Sequence, residues 1–225
     1  MYEFVTGPLA WLAFGIFFIG LIYRTVWYFR GLNWQADRVA YRTNVSFGIK
    51  GAIRSIFFWV VPFGTRGWRS HPVFTIITFG FHLSLLISAI FLPAHNYILE
   101  RKWGISLFTI PSGTGDVLTI FVLIAVGMFI IRRLVLPEVR IITTAYDYLI
   151  LAIAVAPFIT GFIAYHQIFE YKLWLILHIL SGEIMLVAIP FTKLSHFVLF
   201  FMSRMQLGMD YGIKRGGMKG TSMSW

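Results

Sequence analysis

The chain has 225 residues, 58% of them hydrophobic and only 12% charged, with a mean hydropathy of +0.78; soluble domains carry about 25% charged residues, so a water-solvated globule is excluded. The absence of cysteine excludes disulfides, thiolate nucleophiles and Cys-x-x-Cys-His attachment of c-type haem, and assigns any iron–sulfur cluster to a partner chain. The net charge of +10 falls in short basic segments between apolar runs, which points to lipid and an anionic membrane face and away from nucleic acid.

Runs of about 20 apolar residues predict transmembrane helices over 8–29, 72–93, 117–136, 148–165 and 173–201. The first is preceded by Glu3 rather than a basic segment, and no small-residue cleavage site follows Arg30, so it is expected to remain as a helix. Between the first two, residues 46–63 read SFGIKGAIRSIFFWVVPF, with Lys50 and Arg54 four apart and Ile49, Ile53, Ile56 and Phe57 at helical spacing. That pattern predicts an interfacial amphipathic helix; two basic residues in its first half argue against a short sixth span. Residues 94–116 read as a loop too small for a core of its own. Asp147 heads the fourth span as a charge that complements the helix dipole. The expected fold is an all-α integral membrane protein, a five-transmembrane-helix bundle with one cytoplasmic interfacial amphipathic helix, forming a single domain over 1–225.

Orientation follows from basic residues in the connections. One side holds Arg30, Arg38, Arg42, Lys50, Arg54, Arg66 and Arg69, then Arg132, Arg133 and Arg140, then Arg204, Lys214, Arg215 and Lys219; the other holds only Arg101, Lys102 and Lys172. The richer side is expected to be cytoplasmic, placing the N-terminus in the periplasm and the C-terminus in the cytoplasm of an inner-membrane protein.

Six histidines carry the candidate chemistry: His71, His82, His95, His166, His178 and His196. Ionisable residues inside spans are costly and usually functional. On one continuous helix, His178 and His196 lie five turns apart on one face, about 27 Å along the axis, and His71 and His82 lie within about 20° of each other and about 16 Å apart. An antiparallel pair of such helices sets His71 opposite His196 and His82 opposite His178. Two imidazoles from opposite sides fill both axial positions of a haem iron, which suits electron transfer rather than oxygen chemistry. Gly80 and Gly182 leave room for a flat macrocycle. A lone intramembrane histidine more often packs or relays protons, but four at same-face spacing favour ligation. His71 precedes Pro72 at the membrane surface, and His95 is its substitute candidate, although 13 residues from His82 correspond to a different face, about 220° round. His166 reads as a loop residue. Lys193 and Arg69 lie near His196 and His71, where they could neutralise haem propionates. Glu183, inside the fifth span and five residues beyond His178, is expected to be protonated if unpaired; it is a candidate quinone or proton site, or a partner for Arg24.

The stretch Arg132-Arg133-Leu134-Val135-Leu136-Pro137-Glu138-Val139-Arg140, continuing to Asp147, resembles the γ subunit of membrane-bound respiratory nitrate reductase, as do Leu177-His178-Ile179-Leu180-Ser181-Gly182 and Ile189-Pro190-Phe191-Thr192-Lys193-Leu194-Ser195-His196. Both motifs fall within the part from about residue 70 onward that the resemblance covers. It implies a five-helix cytochrome b holding two haems b, with axial ligands on His71, His82, His178 and His196; the spacing of the first pair is 11 here and 10 in that family. Among relatives of that fold, the chain is most similar to the small cytochrome b subunit of the high-molecular-weight cytochrome complex of sulfate reducers. That similarity implies a periplasmic multihaem cytochrome c, a cytoplasmic iron–sulfur subunit and other membrane subunits as partners in anaerobic respiration, with menaquinone or menaquinol as an alternative redox partner. A haem-free membrane anchor, the γ subunit of a quinol-oxidising nitrate reductase and a proton-coupled transporter are the competing functions. No P-loop, GxSxG, HExxH or paired-carboxylate arrangement is present, so no bond chemistry is expected of the chain alone.

Overall fold

The computed structural model describes residues 1–32 and 45–214, without the side chains of 102, 103 and 211–214; Arg38, Arg42, Arg215 and Lys219 lie outside the described residues. Among the described residues the structure is helical, with no strand. Five helices are long and apolar enough to cross a membrane: α1 (Tyr2–Gly31), α4 (Pro72–Phe91), α6 (Ser112–Val135), α8 (Ala145–Tyr165) and α9 (Tyr171–Phe191). Between and after them come α2 (Val45–Val60), α3 (Arg66–Ser70), α5 (Pro93–Trp103), α7 (Pro137–Arg140) and α10 (His196–Lys214). The expected all-α, multi-pass membrane architecture is therefore present.

The chain divides into two units, one of residues 1–13 and 77–186 and the other of 14–76 and 187–225. In the first, α6 packs on α8 around Phe81, Val122, Ala125, Val126 and Val155. Small residues at Ala125 and Ala154, exposed by only 1% and 6%, let the backbones approach, as membrane helix interfaces require. Helix α8 starts at a capping box: Asp147 Oδ2 accepts from the Thr144 N–H at 2.8 Å and from its hydroxyl at 3.0 Å, so the expected dipole charge also satisfies an end group.

In the second unit α2 lies antiparallel to α10. Gly51, Ala52 and Ser55 meet Gly208, and at the opposite end of the contact the Arg204 guanidinium sits 4.4 Å from the Trp59 ring centre. Burial there pulls the Arg204 pKa below its ordinary value. Gln206 accepts a 2.5 Å hydrogen bond from Tyr28 of α1, and Gly20 of α1 packs on Pro190.

Three expectations about elements fail for local reasons. The fifth span does not run to residue 201. Pro190 removes a backbone donor in the last turn, Thr192 adopts an extended backbone with φ −121 and ψ −174, and its hydroxyl accepts from the Leu194 N–H to cap a 3-10 turn over Lys193–Ser195. A new helix begins at His196, so His178 and His196 do not share one continuous helix. His71 likewise lies outside the helix of His82: it caps the end of α3 at φ −129 and ψ 65, ahead of α4. The segment read as loop over 94–116 carries α5, opened by extended Leu92 with Pro93 in the first turn and closed by Gly104 at φ 67, where a residue without Cβ is favoured.

Candidate functional site

Helix α5 folds His95 back along the end of α4, and its Nδ1 lies 3.1 Å from Ser88 O and 3.0 Å from Ala89 O. Next to it, buried Asn96 accepts from the Leu107 N–H at 2.7 Å, while the Ile110 N–H donates to Phe91 O at 3.0 Å. These two bonds tie the following loop down and hold the first turn of α5 in place.

His178, in the second turn of α9, reaches α8, where its Nδ1 donates to Pro157 O at 2.9 Å. The ring passes over Gly161, one helical turn beyond Pro157; a Cβ at that position would stand 2.9 Å from both Cε1 and Nδ1. Thr160 and Ser181, whose hydroxyl oxygens are 3.1 Å apart, link the same two helices. The sequence thus places a glycine where the imidazole needs the backbone bare.

The rings of His95 and His178 lie with centres 5.9 Å apart and planes 7° from parallel. A carbonyl can only accept, so both Nδ1 atoms carry protons, and in the neutral rings both Nε2 atoms keep their lone pairs. This backbone anchoring of one imidazole nitrogen is the usual support for a histidine that ligates a metal through the other.

The other predicted residues stand as follows. His82 is exposed, with Nδ1 2.7 Å from Thr78 O on its own helix. His196 is exposed, with Nδ1 2.9 Å from Lys193 O across the 3-10 turn. His71 is exposed, and Arg69 donates to Phe63 O at 3.4 Å. Lys193 is exposed at the start of the 3-10 turn. His166 pairs its Nε2 with Asp116 Oδ1 at 3.0 Å, as a loop histidine can. Glu183 is buried, and neither of its carboxyl oxygens has a hydrogen-bond partner; Arg24, its suggested partner, instead donates to Ser195 Oγ at 3.3 Å. The space at Gly80 is filled by the Phe121 ring, 2.6 Å from where a Cβ would stand, while Gly182 faces open space.

The angle of about 220° between His82 and His95 holds only along an unbroken helix. The signal that corrects this is Leu92-Pro93: a residue before proline is pushed to extended backbone and proline opens a new helix, so the helical phase restarts between His82 and His95.

A haem b of the kind the resemblance implies needs two neutral imidazoles with free nitrogens. The Nδ1 atoms of His95 and His178 are both held by backbone carbonyls, which leaves each Nε2 as a donor atom and fits that requirement. Among the described residues no group of three or more His, Cys, Asp or Glu is placed to hold a metal ion directly.

No family model matches the chain, and no solved structure matches it. It is 50% identical over 226 residues to a protein of Nitratidesulfovibrio vulgaris (strain Hildenborough), an alignment that covers the whole of both chains. The name of that relative states no function. The chain belongs to the same family as this full-length relative.

Proposed function

We propose that the chain is a membrane cytochrome b subunit that carries electrons across the bilayer between a periplasmic partner and a cytoplasmic iron–sulfur subunit. The observation that supports this most is the His95–His178 pair, two backbone-anchored imidazoles with parallel rings, one on α5 and one on the apolar helix α9. A haem held by two imidazoles would supply one-electron transfer rather than oxygen chemistry. In this reading His95 and His178 hold one haem. The Pro157 carbonyl fixes the tautomer and orientation of His178, and the carbonyls of Ser88 and Ala89 do the same for His95. His196 and His71 are the candidate ligands of a second haem, and Lys193 and Arg69 are the cations available for propionates. Glu183 is a buried acid suited to hold a proton or donate to a quinol oxygen.

The first test is a pyridine haemochrome assay on detergent-purified protein. Two haems b per chain, both reducible by dithionite, are expected; a colourless preparation would sink the cytochrome reading and leave a membrane anchor. Gly161→Ala is a finer probe. Its Cβ pushes on the His178 ring, so haem at this pair is expected to bind about 10–100-fold more weakly, the range for loss of a ligand's supporting contacts, as read by haem transfer to apomyoglobin. Unchanged transfer would show that the ring is not the one held.

A further inference from the structure

Helix α2 presents three stripes. Gly48, Gly51, Ala52 and Ser55 are buried, the last three against Gly208 of α10. Ile49, Ile53, Phe57 and Val60 form an exposed apolar stripe, with Ile53 at 64% and Phe57 at 59%. Lys50 and Arg54 each follow an apolar-stripe residue by one position, about 100° further round the helix. Ile53, Ile56, Phe57, Val60 and Val61 join Phe201 of α10 to line an open apolar groove of about 390 Å³.

We propose that this groove and its basic border bind an anionic phospholipid such as phosphatidylglycerol, with an acyl chain along Ile53, Phe57 and Phe201 and the phosphate at Lys50 and Arg54. Charge complementarity supports this occupant. No acidic residue occurs between Asp37 and Glu100, whereas Lys50, Arg54, Arg66 and Arg69 all fall in that interval, so this stretch of the chain carries no acidic residue of its own. Arg54 holds its guanidinium 5.4 Å from the Phe58 ring centre, and its buried Nε has no hydrogen-bond partner. An amphipathic helix with a basic flank beside an apolar face is the arrangement by which a surface helix selects anionic lipid. The inference rests on α2 and α10 alone and is independent of haem.

The chain has no cysteine, so Ile53→Cys places a single bimane probe in the groove of the full-length protein. In nanodiscs, brominated phosphatidylglycerol is expected to quench that probe at a several-fold lower mole fraction than brominated phosphatidylcholine. Lys50→Gln with Arg54→Gln, or 1 M salt, is expected to remove the difference while helix content by circular dichroism stays constant. Equal quenching by the two lipids overturns the proposal. So does a probe that neither lipid quenches, which would mean that protein covers the groove.

Discussion

His95→Ala and His178→Ala are each expected to lower haem content from two per chain to one, and both are expected to remove the same component from a redox titration. The two ring centres lie 5.9 Å apart in one unit of the structure, and a haem held by two imidazoles that loses either one loses its second strong ligand. His82→Ala separates this from the pairing suggested by helical phase alone: it should leave that component in place. If His82→Ala removes the component that His178→Ala removes, and His95→Ala does not, then His82 opposes His178 and the contact with His95 is packing. Adding the double variant His95→Ala/His178→Ala closes the test, since ligands of one haem give the same loss together as singly.

The spans were legible because lipid imposes a simple rule: every backbone group must be satisfied within the segment, so apolar runs of about 20 residues become helices. The amphipathic segment was equally plain, since Lys50 and Arg54 against Ile49, Ile53 and Phe57 leave only one helical phase. What the runs hid were breaks between apolar residues. Residues 173–201 look continuous to hydropathy, yet Pro190 and Thr192 divide them, and a division of a few residues resets the angular relation between His178 and His196. The same arithmetic misplaced His71 and gave His95 an angle that does not apply, because each lies across a proline from His82. Residue type and approximate depth survive such breaks; facing direction does not. Nor could the sequence announce that Gly161 and Pro157 seat His178, because that depends on which two helices approach, and nothing in either segment alone names its neighbour.

Gly208→Val is expected to destabilise the second unit strongly. A Cβ at 208 would lie 2.7 Å from the Ser55 Cβ, 2.8 Å from the Ala52 Cα and closer still to the Gly51 carbonyl oxygen, and backbone atoms cannot rotate away. Overpacking of this kind costs about 1–3 kcal/mol even where side chains can move, and a β-branched residue that must push α2 off α10 sits at or above the upper end. Gly208→Ala should fall between wild type and Gly208→Val. The control is Gly127→Ala in α6, where nothing lies within 4 Å of the added Cβ and helix propensity gives about 0.5–1 kcal/mol in the opposite direction. Thermal unfolding in detergent, followed by tryptophan fluorescence, ranks the three. Equal midpoints for Gly208→Val and wild type would mean that α2 does not pack on Gly208 in the membrane. Because His95 and His178 belong to the other unit, a correctly inserted Gly208→Val protein should keep their haem while losing stability, whereas Gly161→Ala should weaken that haem and leave the α2–α10 contact intact.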